Sequence, residues 1–122
     1  MSDFYELIGK TITQIEQCTS ERIVFHINDG TAYESVHLRC CCESVGVHHI
    51  EGNIDEVIGL LVVEAEETQD NDNKPDELAD SWTWTHQRIK TVRGEVTFHW
   101  LGESNGYYGE TPYFQLTHGK KV

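Results

Sequence analysis

The chain has 122 residues, 38% of them hydrophobic, with twelve aromatics that include three tryptophans; this excludes a compositionally disordered polymer and predicts one compact domain over residues 1–122. A formal net charge of -12 with only nine Lys and Arg excludes a broad basic surface for duplex DNA, where affinity rests on cations neutralising phosphates. No apolar run approaches a bilayer-spanning length and the start MSDFYELIGK has neither the basic nor the apolar region of a signal peptide, so the expectation is a soluble cytoplasmic protein with no membrane partner.

From Leu7 to Arg39 the pattern is β. TITQIEQ alternates imperfectly, RIVFHI is a branched and aromatic run, NDG at 28–30 is a hairpin turn and TAYESVHLR pairs back, which predicts a three-stranded meander. CESVGVHHIEGNIDEVIG then loses the alternation and carries Val45, Ile50, Ile54, Val57 and Ile58 at mixed spacings of three and four, which predicts one or two short helical turns. LLVV followed by EAEE reads as a buried strand emerging into solvent, and 67–80 as an acidic, mobile loop. The acidity is concentrated there: from Glu64 to Asp80 eight acids face Lys74 alone, a net of -7 out of -12.

The last third predicts two hairpins in succession, SWTWTHQRIKTV turning at Arg93-Gly94 into EVTFHWLGE, and then SNGYYGETPYFQLTH after the strong turn signal Asn105-Gly106. With a two-residue turn, Ile89 lies opposite Phe98, and Val96 and Trp100 complete a core stripe. The other face then carries Trp82, Trp84, His86, Arg88 and Lys90, with Thr97, His99 and Leu101 beside them. Indoles stack on bases and guanidinium groups pair with phosphates, so this face suits a small nucleotide. The plainer alternative packs Trp82 and Trp84 under the acidic loop or in a second core layer, with Arg88 and Lys90 snorkelling out. The predicted fold class is α+β, mainly antiparallel β: a single domain with one short helical segment and consecutive C-terminal hairpins.

The cysteines Cys40, Cys41 and Cys42 are adjacent, whereas zinc sites favour pairs two to four residues apart, because neighbours on a strand point to opposite faces. His37, Cys41 or Cys42, and His48 or His49 could converge on a metal if the chain turns sharply at 43–47, and His37 and Arg39 could activate a thiol, but buried structural thiols are the simpler reading, and no cofactor is implied. Residues 102–106 match G-x-S-x-G in letters only, because that nucleophile elbow joins a strand to a helix in a larger parallel-sheet fold. Nothing else in the sequence points to an enzyme.

LIGKTI at 7–12, His37 followed by CCESV at 41–45, IEGNIDEVIG at 50–59, SWTWT at 81–85, KTVRGEVTFHW at 90–100 and GESNGYY at 102–108 together resemble a family of small bacteriophage-encoded proteins, largely of unknown function. The sequence departs from that family's pattern at Cys40 and at His48-His49, which places a ligand set built on those residues outside what the resemblance implies. It implies an accessory protein acting in the cytoplasm of an infected bacterial host, where small proteins of this kind counter defences. The expected function is therefore non-enzymatic sequestration of a small nucleotide signal, such as a cyclic di- or trinucleotide, by a homo-oligomer. Trp82, Trp84 and Tyr107 or Tyr108 would stack on bases, Arg88 and Lys90 would hold phosphates, and Ser104 and Asn105 would bond base edges or ribose. The rival expectations are an acidic antagonist masking a basic host surface through 64–80, and a metal- or thiol-dependent enzyme at Cys41, Cys42 and His37.

Overall fold

In the computed structural model, residues 4–37, 44–72, 74–75, 81–104 and 111–118 are described. A 3-10 turn, Phe4–Leu7, precedes strands β1 (Ile12–Thr19), β2 (Arg22–Ile27), β3 (Ala32–Val36) and β4 (Ser44–Gly52). A second 3-10 turn, Ile54–Glu56, leads to β5 (Glu64–Asp70), β6 (Ser81–Lys90), β7 (Glu95–Ser104) and β8 (Tyr113–His118). Among the described residues all strand pairings are antiparallel, in two four-stranded sheets ordered β1-β2-β3-β8 and β4-β7-β6-β5. Mainly antiparallel β is thus the architecture, and the α+β label gives way to a β-sandwich whose helical content, among the described residues, is two 3-10 turns. Among the described residues no helix is long and apolar enough to cross a membrane.

The expected meander is present as β1-β2-β3, with the Asn28-Asp29-Gly30 turn closed by Gly30 at φ +92° and by Asp29 Oδ1 accepting from the Thr31 amide. Both sheets contribute to one core. Ile12, Ile23, Phe25 and Tyr33 from the first meet Val45, Ala65, Ile89, Val96, Phe98 and Trp100 from the second. Phe25 and Phe98 meet edge-on across the interface with centroids 5.9 Å apart, and Phe4 caps the same cluster against Phe25 and Phe114. Each fully buried side chain of this size stabilises by about 1.5–3 kcal/mol, which suffices to fix the faces of both sheets.

Four expectations need correction. Residues 44–52 form a strand, not helical turns: the alternation is lost because of a bulge at 47–49, where β4 has one more residue than β7. The strand after Gly59 begins at Glu64 and runs through Asp70, because Glu66, Thr68 and Asp70 alternate outward with Ala65 buried beneath them. The β6–β7 turn spans four residues, Thr91 to Gly94, closed by the Thr91 amide donating to Gly94 O at 2.8 Å. Ile89 is consequently opposite Val96, not Phe98. Finally, β8 does not extend a second hairpin from β7; it crosses to the first sheet and pairs with β3, where Phe114 joins the aromatic cluster.

Candidate functional site

The outer face of the second sheet is built in transverse rows. Because strand side chains alternate with period two, Trp82, Trp84, His86, Arg88 and Lys90 share this face of β6, while Thr85, Gln87 and Ile89 are buried on the other. Across the strands, Thr68, His86, His99 and His49 stand directly opposite one another from β5 to β4. The bulge in β4 adds His48 to the same neighbourhood, and both His48 and His49 are exposed. Adjacent residues that would point to opposite faces of a regular strand here meet the same tryptophan.

The rings are in contact. His49 stacks on His99 with centroids 4.3 Å apart, and Trp84 receives the edges of His48 at 5.1 Å and His49 at 6.5 Å. His86 and His99 face each other through their Nδ1 atoms at 2.7 Å, and a second Nδ1 pair, His48 with His49, lies at 2.9 Å. Carboxylates hold the far sides: the Nε2–H of His86 donates to Asp70 Oδ2 at 2.8 Å and that of His99 to Glu51 Oε1 at 2.9 Å. The hydrogen bond from His86 holds the Asp70 carboxyl below its usual range against the opposing effect of burial. Desolvation, reinforced by His99 and His48, holds His49 below the usual histidine range, with Glu51 acting in the opposite sense.

Of the sequence-predicted site residues, Trp82, Trp84, Arg88 and Lys90 do share one face, but in different settings. Trp84 is buried beneath the two histidines. Trp82 leans on the acidic segment, its indole N–H donating to Asn71 O at 2.9 Å with the Lys74 ammonium 5.8 Å from its ring. Arg88 is committed: Nε, Nη1 and Nη2 engage Glu95, Glu66 and Glu64 respectively. Lys90 lies opposite Glu64 and Glu95 in the next row. Six carboxylates, Glu51, Glu64, Glu66, Asp70, Glu95 and Glu103, thus share the face with Arg88 and Lys90. Four of them, Glu64, Glu66, Glu95 and Asp70, are engaged by Arg88 and His86 within the sheet, and Glu51 by His99.

Ser104 ends β7 opposite Ser81; Asn105, Tyr107, Tyr108, Cys41 and Cys42 lie outside the described residues. His37 follows β3 and its amide donates to Glu21 O at 3.0 Å. Among the described residues no group of three or more His, Cys, Asp or Glu side chains could hold a metal ion.

The model of a domain of unknown function, DUF7448, matches residues 5–114. The chain belongs to this family. No curated protein and no solved structure matches it, so the chemistry of this DUF7448 protein has to be read from its own side chains. The sequence did not place His48, His49, Glu51 or Asp70 on this face; His48 and His49 entered only as metal-ligand candidates beside His37 and the cysteines. The available signal was parity on β6 and β7, which puts His86 and His99 together; the bulge that brings His48 and His49 to them has no comparable signature.

Proposed function

We propose that this DUF7448 protein is a non-enzymatic binding protein that takes a small nucleotide on the outer face of the second sheet. The observation that carries the reading is the contiguous ring surface of Trp84, His48, His49, His86 and His99, with two of its imidazoles exposed. Flat heteroaromatic faces stack on bases of any sequence, and each such contact contributes about 1–3 kcal/mol.

The electrostatics narrow the ligand. With Arg88 spent on three carboxylates, the face has many rings and little uncommitted positive charge. A cyclic di- or trinucleotide, with one charge per phosphodiester and two or three bases to stack, suits it better than a linear triphosphate. Relative to the sequence-based expectation, weight moves from the phosphates to the bases, and from Arg88 to the histidines and Trp84. In this reading the protein is a phage accessory factor that lowers the free concentration of a host immune signal.

Calorimetry and thermal shift against a panel of cyclic and linear nucleotides test it. A ligand present at a hundred times its Kd stabilises by about 2.7 kcal/mol, enough to raise the Tm, and Trp84→Ala should abolish the effect in a protein that remains folded. Silence across the panel would remove the nucleotide reading. A response that Trp84→Ala leaves intact would remove this face as the site.

A further inference from the structure

The contacts along the imidazole row fix a proton count. Carboxylates accept, so the 2.8 Å contact of His86 with Asp70 and the 2.9 Å contact of His99 with Glu51 each place a hydrogen on Nε2. A neutral imidazole has a single N–H. If both rings were neutral, both Nδ1 atoms would present bare lone pairs, and these lie 2.7 Å apart. Two lone pairs at hydrogen-bond distance repel; a hydrogen between them turns the contact into a charge-assisted bond. Three contacts need three hydrogens, and two neutral rings bring two.

We infer that His86 and His99 share one additional proton between their Nδ1 atoms, forming an imidazole–imidazolium cation clamped between Asp70 and Glu51, and that this proton is the switch that keeps the ring surface assembled. A metal ion is the other species that joins two such lone pairs. Zinc–nitrogen bonds of about 2.0–2.1 Å at a tetrahedral angle would hold the two nitrogens roughly 3.3 Å apart, wider than the 2.7 Å contact. Nor do three ligating side chains converge there among the described residues.

The surroundings suit a single cation. From β5, Asp70 touches the pair and Glu66 stands one row away, while β4 contributes Glu51, His48 and His49. On β6 the nearest cation, Arg88, is surrounded by Glu64, Glu66 and Glu95; on β7 the flanking positions are Thr97 and Leu101. His49, stacked on His99, is held below the usual histidine range by desolvation and by the neighbouring imidazoles. When the proton leaves, the facing lone pairs drive the rings apart, one carboxylate contact opens, and His49 loses the ring it stacks on. The site proposed above would then be gated by pH. The proton itself follows from the row's geometry and stands whatever the ligand.

Nitrogen-15 NMR of the ligand-free full chain with labelled histidine tests this. At neutral pH we expect both Nε2 atoms protonated and one far-downfield exchangeable proton between the two Nδ1 atoms. Alkaline titration should remove it in one step that shifts both rings together. His86→Gln and His99→Gln should each abolish the resonance and His48→Gln should leave it; if a variant fails to fold, the wild-type titration decides. Two bare Nδ1 signals at neutral pH, two rings titrating independently, or zinc found at these nitrogens in the purified protein would each overturn the inference. Failure of the nucleotide panel leaves these readings unchanged, so the two proposals fail separately.

Discussion

Ser35 and Gln87 join the two sheets through the middle of the core: the Ser35 hydroxyl on β3 donates to Gln87 Oε1 on β6 at 2.9 Å. The same oxygen accepts the Trp100 indole N–H at 3.0 Å, and the Gln87 amide donates to Glu67 Oε1 at 2.8 Å. Gln87 is fully buried, so it satisfies two buried donors at once, and a buried donor left without a partner costs about 1–3 kcal/mol. Gln87→Leu should therefore destabilise by about 2–5 kcal/mol. Ser35→Ala, which leaves Gln87 Oε1 still bonded to Trp100, should cost about 1 kcal/mol. Urea midpoints of the two variants check this; equal losses would show that Gln87 is not the shared acceptor.

Arg88 gives a prediction that separates structure from binding. Its three carboxylate partners come from β5 and β7, so Arg88→Gln leaves three negative charges converging on one point. The pairs are partly exposed, and a loss of about 1 kcal/mol at low salt, shrinking as salt is raised, is expected. Because its donors are already committed, affinity for any nucleotide that binds should change by less than about threefold, under 1 kcal/mol. Melting curves at two ionic strengths and one titration decide; loss of binding on Arg88→Gln would return the phosphate to this residue.

The faces of β6 and β7 were legible in the sequence although their register was not. A four-residue turn in place of a two-residue one moves each partner by two positions, from Phe98 to Val96 opposite Ile89, and a shift of two preserves side-chain parity. That is why Ile89, Val96, Phe98 and Trp100 are all buried as expected. β4 was illegible for the converse reason: a bulge adds one residue and inverts parity partway, so Val47 and Ile50 pack on the core while His48 and His49 are exposed between them. The crossing of β8 to β3 depends on pairing across about eighty residues, which no local pattern encodes. The histidine row has the same origin, since His49, His86 and His99 meet only when β4, β6 and β7 are in register.

Acidification should destabilise the protein in two stages. His49 is held below its usual value in the folded chain by desolvation and positive neighbours, so the unfolded chain takes up that proton first, and stability falls as pH drops through about 6.5. Glu34 follows. Burial pushes its carboxyl up, but hydrogen bonds from Arg22 and Gln115 and the Arg22 charge outweigh this and hold it below the usual range. Its contribution is present above the ordinary glutamate value, about 4.3, and is lost as pH falls through the depressed folded value. Urea midpoints between pH 8 and 3 should show His49→Gln reducing the upper stage and leaving the lower one, and Glu34→Gln reducing the lower stage and leaving the upper one. The opposite assignment, or one stage abolished by both variants, would contradict these causes.

Gly52 ends β4 against the β7 backbone at Glu95 and Val96. Its φ is +100°, and a Cβ added there would collide with Glu95 O and lie 3.1 Å from Val96 Cα, both backbone atoms that cannot swing aside. Gly59 has a similar φ of +83° but nothing within 4 Å of the same atom. Gly59→Ala should thus show the conformational strain alone, about 1 kcal/mol. Gly52→Ala adds the collision with Glu95 and Val96, and should cost roughly 3 kcal/mol or more. The collision can be relieved only by drawing β4 off β7, which carries Glu51 away from His99 two residues up the strand. Gly52→Ala should therefore also alter the His99 ring resonances while Gly59→Ala leaves them in place. Equal destabilisation by the two variants, with His99 unmoved in both, would mean that the close approach at Gly52 does not set the register of the histidine row.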